Sequence, residues 1–147
     1  MLTKEAIVTH YPNGQLEWRV PIEWHVYGHY RRHGEALQYY PSGEVKLHRT
    51  YEHGVEVGTE TIYYKNGSVM STLNFTNGKK EGVHIFNHPD GSREECSFAS
   101  GELARSSIKH FDEKGKEKLR THEPDSKGPT ELKKILPGDH IPSSFVK

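Results

Sequence analysis

Apolar and polar residues alternate in short runs along this chain. After Gly43 it reads Glu44-Val45-Lys46-Leu47-His48-Arg49-Thr50-Tyr51, and after Gly67 Ser68-Val69-Met70-Ser71-Thr72-Leu73-Asn74-Phe75. After Gly14 it reads Gln15-Leu16-Glu17-Trp18-Arg19-Val20. The larger apolar residues fall mainly on even offsets from the glycine. A period of two marks a strand with one face turned inward. β-Branched and aromatic residues are frequent in these runs, and helix caps are absent.

The glycines that open the runs recur. Gly14, Gly43, Gly67, Gly91 and Gly115 lie 29, 24, 24 and 24 residues apart. A second series falls between them at Gly54 and Gly78, with Gly101 one residue short, and a third runs Gly34, Gly58, Gly82. A fixed period of this size means a repeat architecture. Two turn signals per unit leave two segments of strand length. The expected fold is all-β: a single-layer antiparallel meander of about 4–5 stacked β-hairpin repeats, residues 1–120, followed by an irregular C-terminal tail, residues 121–147.

Turn chemistry sets a register. Tyr11-Pro-Asn-Gly14, Tyr40-Pro-Ser-Gly43, Tyr64-Lys-Asn-Gly67 and His88-Pro-Asp-Gly91 fit a type I turn whose glycine takes φ > 0 as a bulge. With that three-residue loop Tyr39 faces Val45, Leu37 faces Leu47, Tyr63 faces Val69 and Val8 faces Trp18. Tyr40 and Tyr64 are expected on the face opposite to Tyr39 and Tyr63.

Two defects interrupt the period. The first unit carries five extra residues between Gly14 and Gly34, a bulge or lengthened loop that holds Trp24. In the fourth unit Cys96 and Phe98 sit on odd offsets, and Gly101 arrives early. A one-residue slip moves every side chain to the other face unless a bulge absorbs it, so an irregularity is expected near Glu94-Glu95. In the tail, residues 121–129 read as a linker and 130–136 as one weak helical turn. Folding back over the last hairpin and disorder are both open there.

Composition narrows the partners. Only 32% of residues are hydrophobic, lean for a thick core, and 20 basic residues balance 20 acidic ones. No basic field exists to hold nucleic acid, and zero net charge disfavours a lipid surface. The single Cys96 makes no intrachain disulfide, and no run approaches transmembrane length. The chain reads as soluble and cytoplasmic.

Several residues in phase carry a resemblance. Tyr63-Tyr64-Lys65-Asn66-Gly67 and Phe75-Thr76-Asn77-Gly78-Lys79-Lys80-Glu81-Gly82 resemble MORN repeats of the bacterial variant form, and Tyr51–Gly58 is a degenerate copy. The resemblance spans about residues 5–118. It implies a single-layer sheet of stacked hairpins and a non-enzymatic role. Bacterial members of this kind are often antitoxin or immunity-type proteins, which would make a cognate toxin the partner. Eukaryotic modules act as scaffolds, self-association surfaces or lipid-binding elements. The family often carries tryptophan two residues after the third glycine, where this chain has Ala36, Glu60 and His84.

No catalytic residue, cofactor or metal is expected. His25, His29 and His33 would align on a helix, but along a strand they stand about 13 Å apart, too far for one zinc. Only a pair on adjacent strands could meet. Cys96, beside Glu94 and Glu95, sits in a setting that opposes a thiolate. The aromatics are the candidates for a protein-binding strip: Tyr40 and Tyr64 first, then Trp18, Trp24, Tyr39 and Tyr63.

Overall fold

A computed structural model of the chain describes residues 5–119. The tail expected to be linker and helical turn lies outside them. The described residues form one 12-stranded antiparallel sheet and no helix. Its strands are β1 (Glu5–His10), β2 (Leu16–Trp24), β3 (Tyr30–Arg32), β4 (Gly34–Tyr39), β5 (Val45–Glu52) and β6 (Val55–Tyr63). They continue as β7 (Val69–Thr76), β8 (Lys79–Lys80), β9 (Gly82–Asn87), β10 (Arg93–Ala99), β11 (Glu102–Phe111) and β12 (Glu117–Lys118). Neighbours in space follow chain order, with β3 branching from β2 and β8 from β7. The sheet is the expected meander.

The turns follow from their residues. At Tyr40–Glu44 the Tyr40 N–H donates to the Glu44 carbonyl at 2.8 Å, and the Gly43 N–H donates to the Tyr40 carbonyl at 2.9 Å. Gly43 sits at φ 103°. This is the type I turn with a glycine bulge, and the same bonds recur in the turns at Gly14, Gly67, Gly91 and Gly115. The second glycine series makes a different turn. His53-Gly54, Asn77-Gly78 and Ser100-Gly101 each place two successive residues at positive φ, the geometry of a two-residue type I′ turn.

The register is part expected and part corrected. Tyr39 pairs with Val45 and Tyr63 with Val69. Leu37 faces His48, not Leu47, and Val8 faces Arg19, not Trp18. The cause is a second bulge one step beyond each of the first three turns, which leaves Glu17, Lys46 and Met70 unpaired on their strands. Each bulge shifts the following residues by one. Trp18, Leu47 and Ser71 thereby turn to the buried face.

The fourth unit lacks this second bulge: Arg93, Glu94, Glu95 and Cys96 pair in unbroken register with Asn87, Phe86, Ile85 and His84. Its odd-offset apolar residues compensate, and Cys96 still reaches the buried face. The expected irregularity is present but lies one step further on, between Glu95 and Ser97, and its extra residues are on β11. Ser107 closes the gap. Its hydroxyl accepts from the Ser97 N–H at 2.7 Å and donates to the Ala104 carbonyl at 2.5 Å.

One face carries the core. Trp18, Val20, Ala36, Leu47, Tyr51 and Ile62 form one cluster, and Phe86, Cys96 and Ile108 a second, with Met70 packed against both. Ala36, Glu60 and His84, each two residues after a glycine of the third series, all lie buried on this face. The repeats are clasped along both rims. On one rim the tyrosine that opens each of the first three turns donates its hydroxyl one repeat onward: Tyr11 to the Tyr39 carbonyl (2.7 Å), Tyr40 to Tyr63 (2.6 Å), Tyr64 to Asn87 (2.7 Å). On the other rim Gly54, Gly78 and Gly101 donate backbone N–H groups to Arg32, Glu56 and Lys80, one repeat back.

Candidate functional site

The five-residue excess of the first unit builds an outgrowth. Instead of a loose loop, β2 runs on to Trp24, turns, and returns as β3, pairing Ile22 with Arg32, Glu23 with Arg31 and Trp24 with Tyr30. The turn uses the same chemistry as the repeats. His25 N–H donates to the His29 carbonyl at 2.6 Å, Gly28 N–H to the His25 carbonyl at 3.0 Å, and Gly28 sits at φ 76°. Val26 and Tyr27 at its tip are 88% and 82% exposed. Trp24 is 41% exposed, stacks edge-on against Tyr30 at 5.7 Å and donates its indole N–H to Glu5 at 2.8 Å. Three large apolar side chains thus stand in the open within four residues of sequence.

The remaining aromatic candidates occupy other places. Trp18 is 2% exposed and belongs to the core, so no partner reaches it. Tyr40 and Tyr64 are half-buried, with their hydroxyls engaged by the next repeat. Burial raises the pKa of Tyr40, which keeps its phenol a neutral donor. Tyr39 and Tyr63 are half-buried on the opposite face. There Tyr63, with Leu37, Val45 and His48, lines a shallow groove of about 590 Å³ rimmed by Glu44 and Lys65.

A polar cluster lies at the base of the outgrowth. Glu23 on β2, Arg31 on β3, His33 and His53 converge there from segments up to 30 residues apart. The Glu23 carboxylate contacts Arg31 Nε at 2.5 Å, His53 Nδ1 at 2.6 Å and His33 Nδ1 at 3.7 Å. The His33 and His53 rings are 4.8 Å apart. Hydrogen bonding to His53 is the first cause holding the Glu23 carboxyl below its ordinary range, with Arg31 and His33 adding to it. The donor atoms of Glu23, His33 and His53 lie within 4.8 Å of one another. Sequence spacing groups His33 with His25 and His29, the wrong companions. The signal was the Gly34 and Gly54 turn positions, which bring the ends of two repeats side by side.

Cys96 and His84 face each other across β10 and β9 on the buried face. Burial first, and Glu94 second, push the Cys96 thiol up to about 11. Across from it, His84 is held down to about 4 by burial, with Lys80 adding to it, so its ring is neutral near pH 7.

Fold and rims together define a repeat protein built of stacked hairpins, in which the first four units are hydrogen-bonded one to the next on both rims. Two segments, residues 32–53 and 56–77, match the family model described as MORN repeat variant. Both matched segments run through one tyrosine-led turn and end in the adjoining type I′ turn. No curated protein matches the chain. No helix among the described residues is long and apolar enough to cross a membrane.

Proposed function

We propose that this chain is a non-enzymatic protein-binding repeat module whose partner is gripped by the Trp24–Tyr27 tip. The exposure of Val26 and Tyr27 carries the reading. These side chains contribute nothing to the core, and they crown a lengthened hairpin tip where the next two repeats close with two-residue turns. Exposed aromatic and aliphatic anchors of this kind fill partner pockets and dominate binding energy. Family resemblance supports a finer version, an antitoxin or immunity component that occludes a cognate protein's working surface. A pull-down comparing the native chain with Val26→Ser/Tyr27→Ser tests the binding role. The native chain retains a specific protein and the variant releases it; equal recovery by both counts against the tip.

Self-association is the second reading. Among the described residues β1 pairs only with β2, and Val8 on it is 49% exposed. An edge strand with an apolar residue invites a second copy. Light scattering decides: a concentration-independent monomer sinks this version.

A further inference from the structure

We propose that Glu23, His33 and His53 form a binding site for one divalent transition-metal ion of the zinc class. Two donors on a tetrahedral zinc lie about 3.4 Å apart, given bonds of about 2.0–2.2 Å. The donor atoms here already lie within 4.8 Å of one another, on three segments fixed by the sheet. Two imidazoles and one carboxylate suit zinc, cobalt or nickel rather than calcium or magnesium. Three protein donors leave a position for water or a fourth ligand.

The hydrogen bonds point the same way. His33 Nδ1 accepts from the His53 backbone N–H at 3.0 Å, so it carries no proton, and an ion bound there would take that lone pair in exchange for this hydrogen bond. His53 Nδ1 lies 2.6 Å from Glu23 Oε1 and 3.0 Å from Arg31 Nη2. The carboxylate only accepts and the guanidinium only donates, so one ring nitrogen cannot satisfy both. A metal ion resolves the conflict by taking the lone pairs of nitrogen and carboxylate together. Arg31 stands where a cation belongs: it pairs with Glu23 and, being 39% exposed, has room to swing out. His53 is 61% exposed, which leaves the site open to entry from solvent. The ion would join the first repeat to the turn that ends the second.

The test uses untagged full-length protein and zinc, read by titration calorimetry, with cobalt absorption as a spectroscopic check. One ion binds per chain and raises the melting temperature. Glu23→Gln and His53→Ala each weaken binding at least tenfold, Arg31→Gln tightens it, and His25→Ala/His29→Ala leaves it unchanged. Absence of one-to-one binding overturns the proposal, as does binding that survives undiminished in Glu23→Gln and His53→Ala. This outcome is independent of whether the tip holds a protein.

Discussion

Arg49 and Glu60 form an ion pair inside a single-layer sheet, each side chain 1% exposed. Arg49 Nε lies 2.6 Å from Glu60 Oε2 and 2.5 Å from Glu56 Oε1, and Arg49 Nη1 donates to the Tyr51 hydroxyl at 3.0 Å. Ala36 pairs with Arg49 across the sheet, and its small side chain leaves the guanidinium room. A buried charge that loses its partner is costly, whereas removing both partners is tolerated far better. Glu60→Leu therefore destabilises the chain by about 3–5 kcal/mol. Arg49→Met/Glu60→Leu recovers part of that loss. Urea unfolding of the two variants checks the order; a double variant less stable than Glu60→Leu contradicts it.

Two buried groups give opposite pH dependences. Burial raises the Glu60 carboxyl to about 7 despite Arg49. The folded chain then holds a proton that the unfolded chain releases, so this contribution is present below about 4.5 and lost as pH rises through about 7. His84, held down to about 4, stays neutral where the unfolded chain is protonated. Its contribution is present above about 6.5 and lost as pH falls towards 4. Each amounts to on the order of 3 kcal/mol, and between about pH 4.5 and 6.5 they offset each other. Relative to the native chain, Glu60→Gln loses stability on acidification from pH 7 to 5, and His84→Phe gains it. Parallel pH profiles for all three proteins would remove the assignment.

The tyrosine clasps separate stability from binding. Tyr40→Phe and Tyr64→Phe keep the ring but remove the donor to Tyr63 and Asn87. Each substitution costs about 0.5–1.5 kcal/mol. Chemical denaturation measures the loss, and the expected result is an unchanged partner affinity beside it. A weakened complex with unchanged stability would return these residues to the binding surface.

Gly78 in its type I′ turn is less tolerant of a side chain than Gly67 in its tyrosine-led turn. A Cβ on Gly78 at φ 79° would lie 3.2 Å from Val55 Cγ1, whereas one on Gly67 at φ 86° meets nothing within 4 Å. Both alanine substitutions carry the left-handed backbone cost of about 1–2 kcal/mol. Gly78→Ala adds a clash, so its melting temperature falls further. Equal melting temperatures would show that Val55 yields freely.

Most of the fold is legible in the glycine spacing, because turn types and alternation are local properties. The Tyr39–Val45 and Tyr63–Val69 pairs follow from the loop alone. What escapes the sequence is set two strands away. The second bulge after Gly14, Gly43 and Gly67 has no residue signature, yet it decides that Leu37 meets His48. The Glu23–His33–His53 cluster needs the outgrowth to pair as a hairpin before its members meet. Trp18 and Trp24 look alike in sequence as aromatics of one unit. The bulge at Glu17 turns the first to the buried face, and the hairpin extension carries the second into solvent.

The most direct test of the binding account places a photo-cross-linking amino acid at Tyr27 and irradiates the chain in lysate of its own organism. A control chain carries the same group at Glu35, an exposed position on β4. The account predicts one dominant protein adduct from position 27, diminished when Val26 is changed to serine, and none from position 35. Identical adduct patterns from the two positions, or no protein adduct from position 27, would contradict it.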